Sequence, residues 1–132
     1  MAELEAGLYS LLSNDAGVSA LVSARIYPAV VPQDIDLPAI AYQLIGAPDR
    51  YYAHSGPVGL ARKRIQITSV AETYAAAKGL AVAIRDALSG YQGTTATVKI
   101  HSSFLLNEFD SFGDQNDLQI NRQDFMIMYT EA

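Results

Sequence analysis

The sequence predicts an α+β domain, and three observations predict it. Residues 62–70 alternate, with Ile65 and Ile67 on one face and Arg64, Gln66 and Thr68 on the other; period two marks a half-buried strand. After Val70 the period changes, and Ala77, Leu80, Ala81, Ile84 and Leu88 fall on one helical stripe. Strand-like stretches recur at 39–45, 96–105 and 118–129, so the helix has a sheet to lie on.

Taken in order, residues 2–13 place Leu4, Leu8, Leu11 and Leu12 on one helical face, with Glu3 and Glu5 near the positive end of the helix dipole. Asn14 and Asp15 interrupt it, and Asp15 caps a short helical turn over Ala16–Val22. Arg25 to Pro28 reads as extended, since the residue before proline avoids helix. Pro28, Pro32 and Pro38 make 28–38 a rigid surface connection. In 39–45, Ile40, Tyr42 and Leu44 share a face opposite Gln43. Residues 46–61 read as a long exposed loop rich in Gly and Pro, in which Tyr51 and Tyr52 extend a strand at most.

The helix predicted over about 74–88 has Thr73 as its N-cap, and Gly90 at the left-handed position past its end. Arg85 sits near the negative end of its dipole. Gly79 in its interior is expected where backbone approaches closely, because glycine there costs about 1 kcal/mol against alanine. Tyr91–Thr95 reads as a turn. In the next strand Val98 and Ile100 face inward, and Lys99 and His101 outward. Residues 107–117 hold four acids and no base and read as a loop. In the last strand Phe125, Ile127 and Tyr129 alternate with Asp124, Met126 and Met128, so both faces of its C-terminal half are expected to be covered.

The chain has 132 residues, which suits one domain over 1–132. Half of the residues (50%) are hydrophobic and only 17% charged, which hints that something other than water covers part of the surface. There is no cysteine, hence no disulfide framework or thiolate metal site. No basic, apolar leader and no run of about 20 apolar residues is visible, so a cytoplasmic protein is expected. A net charge of −5 argues against a general nucleic-acid binder.

Sites of chemistry are hard to find. His54 and His101 have no spacing that links them to each other or to a carboxylate. Glu108, Asp110, Asp114 and Asp117 do not match a calcium loop, since Gly113 is misplaced and Asp110 and Asp114 are four apart. They read as a solvated loop or as an acidic functional surface. Residues 55–59 are not a nucleophile elbow, and no phosphate loop, dinucleotide fingerprint or HExxH occurs. No enzyme activity, cofactor or metal is therefore expected. The dense basic cluster Arg62, Lys63, Arg64 is either a charged sheet edge that blocks unwanted pairing or a docking surface for a protein, together with Tyr51 and Tyr52.

An ordered set of segments carries a family resemblance. A leucine-rich helix leads to Asp15–Val22, then Arg25-Ile26-Tyr27-Pro28, Pro32-Gln33, and Leu37-Pro38-Ala39-Ile40-Ala41-Tyr42-Gln43. Gly56-Pro57, Leu60-Ala61-Arg62, Ile65-Gln66-Ile67 and Thr73-Tyr74-Ala75-Ala76-Ala77-Lys78 follow. This order resembles the tail-completion (tail terminator, tail-to-head joining) proteins of long-tailed bacteriophages and related prophage particles. The resemblance implies an antiparallel sheet, here of about four strands, packed by the N-terminal and central helices. It implies a hexameric ring that caps the head-proximal end of the tail tube, ends tube polymerisation and offers a surface to the head connector or neck protein. The partners would be other copies of the chain, the tail-tube protein and the connector, with no membrane and no specific nucleic acid. The place would be the tail–head joint of a virion assembled in a bacterial cytoplasm. On this reading the 107–117 acids line a lumen through which DNA passes, or dock a partner. A head-completion or neck subunit, or a small non-viral ligand-binding module, are the alternatives.

Overall fold

The computed structural model describes residues 3–32, 34–46, 49–53, 56–95, 98–112 and 118–131. Two helices open the chain, α1 (Glu3–Asn14) and α2 (Ala16–Val22), followed by strands β1 (Ile26–Pro28), β2 (Ala39–Leu44), β3 (Asp49–Ala53) and β4 (Gly56–Ala71). Helix α3 (Tyr74–Leu88) leads into β5 (Gly93–Thr94), β6 (Val98–Phe112) and β7 (Gln119–Glu131).

The α+β class is as expected, but the sheet is not a four-stranded antiparallel one. It has seven strands in the order β1-β2-β4-β7-β6-β5, with β3 paired to β4 off this path. It is mixed, because β1 runs parallel to β2 while the other pairs are antiparallel. Both β2 and β3 lie along the flank of β4 opposite β7: β2 pairs with Ile65–Val70 and β3 with residues between Gly56 and Arg62. The extra strands were hidden by local signals. Gly56, Pro57 and Gly59 read as a loop, yet they sit in a hairpin with β3 that runs past the last β7 pair, Leu60↔Thr130. A proline is tolerated there because few ladder bonds are needed. The segment expected as an acidic loop is strand as far as Phe112, and Asp114 and Asp117 lie outside the described residues.

The helices cover one face of the sheet. Leu4, Leu8 and Leu12 of α1 are fully buried, as are Leu80, Ile84 and Leu88 of α3, against Ile65, Ile67, Phe125, Ile127 and Val98. Each such side chain contributes about 1.5–3 kcal/mol on leaving water. Caps fall where the sequence puts them. Asp15 Oδ2 accepts from Val18 N–H at 3.1 Å, and Thr73 Oγ1 from Ala76 N–H at 3.1 Å. Gly90 takes φ +74°, the left-handed region open to glycine, and its N–H donates to Ser103 C=O at 2.7 Å. Gly79 overturns one expectation: a Cβ there would meet nothing within 4 Å, so no backbone approaches it.

Candidate functional site

The basic cluster is split by the pleat of β4. Side chains alternate along a strand, so Lys63 joins Ile65 and Ile67 on the helix-covered face while Arg62 and Arg64 stand on the other. Lys63 is buried; its Nζ lies 3.2 Å from Glu5 Oε1 of α1 and 6.0 Å from the ring centre of Tyr129. It ties a helix to the sheet. Arg64 is 44% exposed and reaches Asp124 Oδ2 of β7 at 3.3 Å. The second oxygen of that buried carboxylate accepts from Gln66 Nε2 at 3.1 Å. Arg62, Lys63 and Arg64 are therefore not a single patch. Tyr51 and Tyr52 sit on β3, and their side chains lie outside what is described, as does His54.

On the side of the sheet away from the helices, residues 29–32, 34, 35 and 37 stand opposite side chains of β2, β4 and β7. Between them lies an open concavity of about 1020 Å³, bordered by Val31, Ile35, Gln66, Thr68, Ile120 and Arg122 among others. Arg122 Nη1 donates to Ser111 Oγ at 2.8 Å across the β6–β7 pair. The same bare side carries Phe104, opposite Met126, and Phe109, opposite Arg122. Phe104, Leu106 and Phe109 are all more than 40% exposed, which is unusual for aromatic and aliphatic side chains so close in one strand.

The two described acids of the 107–117 stretch face the helices. A register shift between Leu105 and Asn107 inserts one extra residue, which reverses the parity of β6. Glu108 and Asp110 thereby land on the side of α3. Tyr74 donates its hydroxyl to Asp110 Oδ2 at 3.2 Å, and Lys78 Nζ lies 3.4 Å from the same oxygen and 3.6 Å from Glu108 Oε2. From below, Asn121 Nδ2 donates to Asp110 Oδ1 at 2.8 Å and to Glu108 Oε2 at 3.1 Å. Gln123 Nε2 donates to the Ala81 carbonyl of α3 at 3.0 Å. The hydrogen bond from Asn121 holds the Asp110 carboxyl below its usual range, against partial burial and with help from the Lys78 charge. For Lys78, desolvation works against the ammonium but is outweighed by Asp110, Tyr74 and Glu108, and its pKa is raised.

Chemically this network anchors a helix. Among the described residues no three His, Asp or Glu side chains converge to hold a metal. His101 is half-buried, its Nε2 3.1 Å from Thr130 Oγ1. Asn121, Gln123 and Asp124 went unnoticed in the sequence as organising side chains. The signal was present, since Asn121 and Gln123 share the parity of Phe125 and Ile127 and so had to be polar groups on the core side.

Comparison with known proteins gives two findings. The family described as Tail completion protein gp17 matches residues 6–130. Among solved structures the fold is similar to that of a chain in the virion of a native gene transfer agent (GTA) particle. The TM-score is 0.75 at 23% identity, over 98% of this chain and 95% of that one. No curated protein matches.

Proposed function

The chain belongs to the tail completion protein gp17 family, and from that premise we propose that it caps the head-proximal end of a phage tail tube. On this reading several copies form a ring that ends tube polymerisation and presents a surface to the head connector. The family match over residues 6–130 carries the reading. A structural part in a phage-like particle follows from membership; catalysis has no place in it.

Two features of the fold are in keeping with a ring. A head-to-tail ring needs two unlike lateral surfaces on each subunit. The sheet ends in unlike edges, a short parallel strand β1 with the β3–β4 hairpin on one side and the long β6 on the other. The side of the sheet without helices exposes apolar groups on β6. The six-fold count, the tail-tube and connector contacts, and assembly in the host cytoplasm belong to the proposal.

Electron microscopy of particles made without the protein tests it. Tails of uncontrolled length that fail to join heads are expected. Normal-length tails on joined heads would sink the proposal, and normal tails beside heads that leak DNA would move the protein to the other side of the joint.

A further inference from the structure

We infer that β4, β7 and α3 enclose a binding site for one water molecule, held by Ser69 Oγ of β4 and by the amide oxygens Asn121 Oδ1 and Gln123 Oε1 of β7. This site stands apart from the tail-capping role and does not depend on it.

Three buried oxygens lack partners. Among the described residues, Ser69 Oγ, Asn121 Oδ1 and Gln123 Oε1 are shut off from solvent and meet no hydrogen-bond partner, and all three residues are 0% exposed. They are also neighbours. Ser69 lies directly across the β4–β7 ladder from Asn121, and Gln123 follows two residues on, across from Ile67. Residues two apart on a strand share a face. Here that face is the one under α3, since Gln123 bonds the Ala81 carbonyl. Directly opposed side chains have Cβ atoms about 4.5–5.5 Å apart. A direct bond between Ser69 and Asn121 would satisfy both, and neither has it. Buried polar groups in folded proteins are nearly always satisfied, by protein or by ordered water. Ser103 Oγ is a further orphan, but it stands alone opposite Ile127.

The surrounding network fixes which way the two amides point. Asn121 Nδ2 donates to Asp110 Oδ1 at 2.8 Å and to Glu108 Oε2 at 3.1 Å. Gln123 Nε2 donates to the Ala81 carbonyl at 3.0 Å and to Glu108 Oε1 at 3.4 Å. Turning either amide over would set its oxygen against a carboxylate, and that of Gln123 against a carbonyl as well, with no hydrogen between them. The amide oxygens are therefore locked away from the acids, and they only accept. Ser69 adds a hydroxyl with one hydrogen to give. A small molecule that donates twice and accepts once completes this set, and water does both. Buried waters make about three hydrogen bonds to groups of this kind. A metal ion suits the site poorly, because the carboxylates that would balance its charge are turned to Lys78 and to the amide N–H groups. Small side chains leave the room. Ala77 and Ala81 are the buried residues of α3 nearest its start besides Leu80, and Ala71 follows Ser69 on the same face of β4. The water ties β4 into the network of β6 and β7 that anchors α3.

A crystal structure of the protein at a resolution that shows ordered solvent tests this directly. One water at about 2.5–3.0 Å from all three oxygens is expected. A direct Ser69–Asn121 hydrogen bond, a site without solvent, or a metal ion in place of the water overturns the inference. Urea denaturation of Ser69→Ala gives an independent readout. Removing a hydroxyl that bonds the water leaves the other two oxygens worse satisfied, so the folding equilibrium constant should fall by about fivefold. An orphaned hydroxyl is better removed, and an unchanged or raised constant therefore overturns the inference. In a Gln123→Met background one of the water's bonds is already gone, and the same substitution should then cost less than about twofold. Equal effects in the two backgrounds would show that no molecule bridges Ser69 and Gln123, and would overturn the inference too. Exchanging sodium for potassium or choline at constant ionic strength should leave the melting temperature unchanged. A shift specific to one cation would give the site to that ion instead.

Discussion

Lys63 Nζ of β4 lies 3.2 Å from Glu5 Oε1 of α1, across a boundary where the two side chains keep only 10% and 19% of their exposure. A cation in the middle of a basic run thus works inside the molecule. Removing one partner of such a pair strands a charge that has already left water. Lys63→Ala is expected to cost about 3 kcal/mol. Lys63→Met together with Glu5→Leu should recover most of it, because a packed apolar pair needs no counter-ion. Urea melts of the two single variants and the double variant check this, and equal destabilisation of singles and double would refute it.

Arg64 behaves differently although it is the next residue. It is nearly half exposed, while the Asp124 it meets is 4% exposed. Arg64→Ala leaves Gln66 on the carboxylate and should cost about 1 kcal/mol. Arg64→Glu brings a like charge to a carboxylate that cannot turn to water, and should cost about 2–3 kcal/mol. Reversing Arg62, Lys63 and Arg64 together would therefore unfold the protein before it reported on docking. Arg62→Gln with Arg64→Gln is the cleaner probe. It should reduce oligomer or particle incorporation with a melting temperature close to that of the parent, and unchanged incorporation would remove these arginines from the interface.

The anchoring of α3 should depend on pH at both ends of the scale. Asp110 has a folded pKa below its ordinary 3.8, chiefly through the Asn121 hydrogen bond. A depressed pKa stabilises the fold above the unfolded value, and that stability is lost as pH falls through the folded one. Lys78 is raised above 10.5, so its share is complete below that value and is lost as pH rises past it. Between about pH 4 and 10 both are in place. Hydrogen exchange of the α3 amides should accelerate below pH 4 relative to those of β7. Asp110→Asn should flatten that acid limb and also weaken the alkaline one, because Asp110 is the chief group that raises Lys78; an unchanged acid limb would place the titration elsewhere.

Much of the fold was legible because the chain states it locally. The 62–70 alternation, the α3 stripe, and the Thr73 and Gly90 ends all involve neighbours in sequence, and all recur in the structure. What was hidden depends on distant partners. The acids at Glu108 and Asp110 looked like loop residues because their cations and amides come from Lys78, Asn121 and Gln123. The bulge at Leu106 is invisible to a period-two count, yet it decides that the acids face α3 and Phe109 faces outward. The split of Arg62-Lys63-Arg64 could have been read, since Lys63 shares the parity of Ile65. The hairpin was missed because Gly56, Pro57 and Gly59 weigh against a strand wherever ladder position is unknown.

Two glycines near α3 are expected to respond in opposite directions to the same substitution. Gly79 lies in the helix interior with no atom within 4 Å of the Cβ position, and it is exposed. Alanine adds no clash there and restricts the unfolded chain, so Gly79→Ala should stabilise by about 0.5–1 kcal/mol. Gly90 also has open space around its Cβ position, but its φ is +74°. A side chain at that angle crowds the following carbonyl, so Gly90→Ala should destabilise by about 1 kcal/mol. The cost has a second route, because the Gly90 N–H bonds the Ser103 carbonyl and closes the start of the β6 edge. If the backbone shifts to relieve the strain, that bond lengthens and the amide of Gly90 loses protection. Thermal melts give the two signs, and hydrogen exchange at position 90 separates strain held in place from strain released. A Gly79→Ala variant less stable than its parent would refute the open space around that position.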